Sequence, residues 1–255
     1  MSLLISIAKA GIRLLPFSLR ARLALECVTV ESGLGLLKSN GFRPSAIIDV
    51  GACGGEWSLL ACRTWPGVPA YMIDANPESE RPLEEAARKV GATAKHYIRL
   101  LGQEHRDNVR LFQHGTGTGV LKDLTVYQTK AIEVPMDTLD SLLAGESVGD
   151  SALIKLDVQG YEIEVLKGGG EILRRAEVAI LEASLLPFND GAPLFAEVVR
   201  FMDDAGFATY EFCSVFRRTD QAQVQVDVFF VRRESNLRRQ KRFFKGEAAV
   251  AAGKG

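Results

Sequence analysis

Short apolar runs bounded by glycine alternate along this chain with longer stretches that carry apolar residues every three or four positions. The short runs read as buried strands and the longer stretches as amphipathic helices. The pattern predicts strands at Ala46–Val50, Val68–Asp74, Thr93–Leu101, Ala152–Asp157 and Val178–Glu182. Helices are predicted over Glu56–Thr64, over Pro82–Val90, from Tyr161 to the Gly168-Gly169-Gly170 stop, and over Leu194–Ala205. Pro82 suits a helix start, where its missing N–H leaves no hydrogen bond unmade. Short strands at Val109–Phe112 and Leu124–Val134 flank a glycine-rich loop, and Thr138–Leu143 reads as a short helix capped by Asp137. Phe207–Phe212 and Val224–Val231, joined by a short polar link, form an antiparallel pair at one edge. Strands alternating with helices require right-handed crossovers. The expected fold class is therefore α/β: a doubly wound, mostly parallel sheet with an antiparallel edge strand, covered by helices on both faces.

The two ends of the chain depart from this pattern. Leu3 to Leu25 is apolar with Lys9, Arg13, Arg20 and Arg22 interspersed, and no acid occurs before Glu26. Lys9 and Arg13 interrupt what would be the apolar core of a signal peptide, so an amphipathic helix broken near Pro16 is expected instead. Such a helix packs on the domain, on a second copy in a homo-oligomer, or on a membrane surface. From Arg232 onward basic residues dominate, which reads as a flexible tail without a folded face for nucleic acid. The expected organisation is a helical extension at 1–43, an α/β domain at 44–232 and the basic tail at 233–255. A length of 255 residues fits this plan, and a net charge of −1 gives no reason to expect a polyanionic partner. Cys27, Cys53, Cys62 and Cys213 show no paired spacing, so neither a disulfide framework nor a zinc site is expected. Reduced thiols and the absence of a bilayer-length apolar run point to a cytoplasmic protein.

The candidate chemistry starts at the end of the first strand, in Asp49-Val50-Gly51-Ala52-Cys53-Gly54-Gly55. In open α/β sheets nucleotide-like ligands sit at this position, where a glycine turn lets them approach the backbone. A dinucleotide fingerprint, G-x-G-x-x-G, would need glycine where Cys53 stands, and no Gly-Lys-Ser/Thr follows to make a P-loop. The remaining D-x-G-x-x-G-G resembles the S-adenosylmethionine (SAM) loop of Rossmann-like methyltransferases. An acid beside the loop favours a cationic sulfonium and repels a pyrophosphate. Asp74 ends the second strand 23 positions beyond Gly51, close to the spacing at which an acid accepts hydrogen bonds from ribose hydroxyls. The cofactor-binding candidates are Asp49, Gly51, Ala52, Cys53, Gly55, Asp74 and Asn76.

A longer resemblance lies downstream. Ile154-Lys155-Leu156-Asp157-Val158-Gln159-Gly160-Tyr161-Glu162-Ile163-Glu164-Val165-Leu166-Lys167-Gly168-Gly169 resembles the I-K-[IL]-D-[VT]-[EQ]-G-x-E-x-x-V-L-x-G signature of the FkbM-like methyltransferase family. Val134–Asp140 and Val178–Glu182 match its flanking segments, so the resemblance covers about residues 44–231. Cys53 stands where that family usually has Asn, and Asp74-Ala75 where it often has Glu-Pro. The end of the third strand lacks the acid that many methyltransferases use on the adenine amino group.

The resemblance implies a Rossmann-like class I methyltransferase that binds SAM and methylates a hydroxyl of a small-molecule or glycan acceptor, such as a sugar or secondary metabolite. It makes Asp157 a candidate catalytic residue, as proton acceptor, cofactor-orienting group or metal ligand. Lys155, one pleat earlier, is placed to pair with a carboxylate. Glu162 reads as an acid at a helix start, favoured by the helix dipole. Asp157 and Glu182 are the candidate ligands for a divalent metal such as Mg. His114 precedes Gly115-Thr116-Gly117-Thr118-Gly119, a loop that the resemblance places over the acceptor, and is a second candidate base. His96 and His105 read as structural or surface residues. Two rival readings stay open at this point: an NAD-dependent oxidoreductase, and a catalytically silent interaction module on the same fold.

Overall fold

The computed structural model describes residues 29–125 and 130–239. The amphipathic segment Leu3–Leu25, most of the basic tail and part of the expected Leu124–Val134 strand lie outside the described residues. In chain order the elements are α1 (Val30–Ser39), β1 (Ile47–Val50), α2 (Glu56–Thr64), β2 (Ala70–Asp74), α3 (Glu80–Val90), β3 (Ala94–Ile98), β4 (Leu100–Leu101), β5 (Arg106–Gln113), β6 (Lys130–Asp137) and α4 (Leu139–Leu142). There follow β7 (Ala152–Leu156), α5 (Glu162–Lys167), α6 (Gly170–Arg175), β8 (Ala176–Ser184), α7 (Phe195–Asp204), β9 (Phe207–Arg217) and β10 (Gln223–Arg232).

The main sheet has seven strands in the order β3-β2-β1-β7-β8-β10-β9. Pairing is parallel from β3 through β8, while β10 runs antiparallel to both β8 and β9. The last two strands thus form the expected antiparallel pair at one edge, with the reversed strand as its inner member. A second sheet, β4-β6-β5, stands beside the first. It arises because the expected strand Thr93–Leu101 breaks at Arg99. β3 stays in the main sheet, while Leu100 and Leu101 leave it to pair with Met136 and Asp137.

One local expectation changes, and one helix is added. Asp137 does not cap α4; its carboxylate is drawn to His105 Nδ1 (2.7 Å) and Arg99 Nε (3.4 Å). Thr138 caps instead, its Oγ1 accepting from the Ser141 N–H at 3.1 Å. The triple glycine ends α5 as expected, and α6, to which the sequence pattern assigns no element, starts at once. Gly168 is required there because a Cβ would lie 2.0 Å from the Gly102 carbonyl oxygen.

Side chains alternate between the two faces of the sheet with the strand period. One face presents Ile48, Val50, Ile154, Leu156, Leu181, Val228 and Phe230 to Leu139, Val165, Ile172, Val198 and Met202 of α4–α7. The other presents Ile47, Leu153, Val178, Ile180, Phe229 and Val231 to Leu34 and Leu37 of α1 and to Ala61 and Trp65 at α2. Each of these leucines is fully buried, which contributes on the order of 1.5–3 kcal/mol. At Gly33 a Cβ would sit 2.8 Å from Phe229 Cζ, so α1 lies directly on the sheet. This part of the helical extension is therefore integral to the α/β core.

The second face changes character toward the carboxyl ends of its parallel strands. Asp49 and Lys155 are cross-strand partners, and so are Glu182 and Asp227. Asp157 follows Lys155 by two positions. An apolar face thus ends in a row of ionisable groups, at the end of the sheet where an α/β fold opens its crevice.

Candidate active site

A cavity of about 480 Å³ opens at the carboxyl ends of β1, β2 and β7, a size suited to a small-molecule ligand. Gly51, Cys53, Asp74, Asp157 and Glu182 line it, as do the Gly115–Gly119 loop and Arg99, Leu100, Gln159, Tyr161, Phe216 and Gln225. The other cofactor candidates, Asp49, Ala52, Gly55 and Asn76, lie behind this wall and are buried. His114 is exposed and does not line the cavity, although the glycine loop that follows it does.

The glycine turn is held by its neighbours. The N–H groups of Gly51 and Ala52 both donate to the Ile73 carbonyl, at 2.9 and 3.0 Å. Gly51 has φ +80°, and a Cβ there would lie 1.9 Å from the Asp157 carbonyl oxygen. This glycine lets β1 and β7 close on each other, a requirement distinct from ligand access. Gly55, also at φ +80°, would bring a Cβ to 2.5 Å from the Ala86 Cβ of α3.

Asp74 ties the turn to β2. Its Oδ2 accepts from the Cys53 N–H at 2.7 Å, and its Oδ1 accepts from the Asn76 N–H at 2.8 Å and the Ser79 hydroxyl at 3.0 Å. Asn76 Oδ1 in turn accepts from the Glu78 N–H and from Gln113 Nε2, both at 3.2 Å, so Asn76 couples this turn to the second sheet. Asp49 is fully buried beneath the loop. Its Oδ2 accepts from the Ser58 hydroxyl at 2.7 Å, while Oδ1 has no partner. Burial pushes its carboxyl above the ordinary range, against the opposing charge of Lys155.

The β7 end is a turn strapped by charge. Gln159 and Gly160 both take positive φ, +57° and +89°. The buried Glu162 carboxylate accepts from the N–H groups of Val158 (2.9 Å) and Gly160 (3.2 Å), holding that turn in place. Burial raises Glu162 to about 7 despite these bonds. Lys155 Nζ lies 3.1 Å from Asp157 Oδ2, and Gln159 Nε2 lies 3.2 Å from Asp157 Oδ1. Burial would lower Lys155, but Asp157, Asp49 and Asp227 outweigh it and hold the ammonium charged. Burial, with Asp157, Glu162 and Asp227 nearby, raises Glu182 to about 9, and burial raises Asp227 to about 6.

The expected metal site finds no support in this arrangement. Asp157 is engaged by Lys155 and Gln159, and Glu182 Oε2 accepts from Gln225 Nε2 at 2.7 Å. Among the described residues no three His, Cys, Asp or Glu side chains are grouped to hold a metal ion. Sequence reasoning missed Arg99, Phe216 and Gln225. The first comes from the strand break; the others lie on β9 and β10, which reach the cavity only through the inserted reversed strand. No sequence-local signal marks them.

The strand order, the single reversed strand and the crevice at the parallel carboxyl ends define a class I methyltransferase fold. The methyltransferase FkbM domain model matches residues 49–209, and the chain belongs to that family. No curated protein matches the chain. Among solved structures it is similar to magnesium protoporphyrin IX methyltransferase from Synechocystis PCC 6803, with 14% identity, 80% of this chain and 77% of that one covered, and a TM-score of 0.46. It is also similar to precorrin-6y C5,15-methyltransferase from Geobacter metallireducens GS-15, with 13% identity, 81% and 93% covered, and a TM-score of 0.45. A third is ribosomal protein L11 methylase from Lactobacillus delbrueckii subsp. bulgaricus, with 11% identity, 79% and 76% covered, and a TM-score of 0.43. No helix among the described residues is long and apolar enough to cross a membrane.

Proposed function

We propose that this protein is a SAM-dependent O-methyltransferase acting on a hydroxyl of a sugar, glycan or secondary metabolite. The observation that carries the reading is that Asp74 and Asp157, two strand-end carboxylates, face one cavity on either side of the glycine turn at Gly51. Family membership supplies the methyl-transfer chemistry. The residues fit the cofactor: Asp74 borders the cavity where a ribose is held in this fold, and the buried, unpartnered Asp49 Oδ1 adds negative potential beneath the turn. When bound, SAM supplies a methyl group activated by its sulfonium, so that the protein mainly aligns the reactants.

Asp157, pinned by Lys155 and Gln159, gives the cavity a fixed anionic wall that orients the reacting groups. On the far side Gln159, Tyr161, Glu182 and Gln225 offer donors and acceptors, with the exposed ring of Phe216 beside them. Such a lining suits a polar, hydroxylated acceptor with one apolar face.

Isothermal titration with SAM, S-adenosylhomocysteine and NAD tests the cofactor. Binding of the first two without NAD is expected; NAD binding alone would return the oxidoreductase reading. Asp157→Asn is expected to bind SAM normally and to transfer methyl about 100-fold more slowly, measured with methyl-labelled SAM on a panel of glycosides and phenols. Full activity in that variant would remove Asp157 from the mechanism.

A further inference from the structure

Four carboxylates line the cavity: Glu56, Asp74, Asp157 and Glu182. Two already carry donors within the fold, and a third, Glu56, faces water. Asp74 accepts from three donors, two of them backbone N–H groups that shape the glycine turn and the strand end. Asp157 has a donor on each oxygen, Lys155 on one and Gln159 on the other. Glu56 is exposed in the first turn of α2, beside Gly54. Glu182 differs. Its Oε2 accepts from Gln225 Nε2 at 2.7 Å, and no donor among the described residues reaches Oε1. Gln225 thus fixes the orientation of the carboxyl and leaves one oxygen for a ligand.

We propose that Glu182 is the catalytic base of this site, its open carboxylate oxygen taking the proton of the acceptor hydroxyl as the methyl group moves. The assignment rests on the methyltransferase reading above. The step balances: the hydroxyl oxygen forms the new C–O bond with its lone pair, and the methyl–sulfur bond breaks. That electron pair stays on sulfur as a neutral thioether, and the proton ends on Glu182. One cation and one carboxylate are consumed together, so the step leaves the net charge of the cavity unchanged.

The charges around Glu182 suit this role. Asp157 and Lys155 face it from β7 and the turn after it, Glu162 from α5 and Asp227 from β10. One ammonium stands against three other carboxyl groups. Burial and those neighbours hold Glu182 at about 9, so in the absence of a cation it carries a proton at neutral pH. A sulfonium in the same cavity favours the ionised form, and a carboxylate with so high a proton affinity is a stronger base than an ordinary one. A neutral thioether ligand gives no such bias. Cofactor binding therefore expels the proton that catalysis later returns.

The test needs no known acceptor. The full chain is titrated with SAM and with S-adenosylhomocysteine at pH 8, each in two buffers of different ionisation enthalpy. Wild type is expected to release roughly half to one proton on binding SAM and clearly less on binding the homocysteine product. Glu182→Gln is expected to bind S-adenosylhomocysteine within about threefold of wild type, to bind SAM roughly 2- to 100-fold more weakly, and to release no proton. If this variant folds poorly, Glu182→Asp serves instead and is expected to keep the proton release. SAM binding to wild type without proton release, or equal release by Glu182→Gln, would overturn the assignment. Failure of folded wild type to bind either ligand would instead overturn the methyltransferase reading, and the assignment with it. With an acceptor in hand, Glu182→Gln is expected to lower kcat by about 10²–10⁴-fold, beyond any rise in KM for SAM.

Discussion

Asp74 and Glu182 border the same cavity from opposite sides, and their surroundings treat them in opposite ways. Three donors within five residues of Asp74 or on the glycine turn satisfy its carboxylate, so it is a structural tie as much as a ligand-facing group. Glu182 has one side-chain donor, Gln225 from another strand, and a surplus of negative neighbours. The β1–β2 side of the site is thus preorganised by local hydrogen bonds. The β8–β10 side crowds Asp157, Glu162 and Asp227 around Glu182 against the single Lys155 ammonium. Buried polar groups are ordinarily satisfied within the fold, and an incompletely paired cluster in a cavity marks the side left for chemistry.

The largest effect is expected on the preorganised side. Gly51→Ala places a Cβ against the Asp157 carbonyl at a backbone angle unfavourable to L residues, and is expected to cost roughly 3 kcal/mol or more. Urea unfolding measures it, and near-wild-type stability would mean that β1 and β7 do not approach as closely as described. Asp74→Asn comes next. It presents an amide N–H₂ where backbone donors now bind, with an expected loss of about 1–3 kcal/mol and weaker binding of S-adenosylhomocysteine.

Glu182→Gln sharpens the contrast because its sign is reversed. The folded carboxyl titrates near 9, far above its ordinary 4.5, so between those values the native state holds a proton that the unfolded chain gives up. Stability contributed by this group is therefore intact at acid pH and is lost as pH rises through that window. The variant is expected to melt like wild type at pH 4 and at least about 2–4 °C higher at pH 8.5, as read by thermal denaturation. A lower melting temperature at pH 8.5 would contradict the charge surplus. The smallest effect belongs to Phe216→Ala. Its ring is 63% exposed, so stability should change by less than about 0.5 kcal/mol while acceptor affinity falls.

The alternation of apolar runs and amphipathic stretches was enough to place β1, β2, β7 and β8 and their parallel pairing, because buried strands carry their signal locally. Asp74 and Asp157 were legible as cavity-facing acids for the same reason: each ends such a strand. The break at Arg99 was not, since Thr93–Leu101 is continuous in pattern and only pairing with Met136 and Asp137 divides it. Asp137 was misread as a cap because its competition with His105 and Arg99 is tertiary.

The sequence by itself therefore determined the α/β class, the glycine turn and the strand-end acids, all of which depend on residues close together in the chain. Only the tertiary structure decided which groups share the cavity. The insertion of β10 beside β8 brings Gln225 and Asp227 to Glu182, more than forty positions away in the chain. A carboxyl's proton affinity depends on the charges packed around it in space, and spacing along the chain carries no record of them.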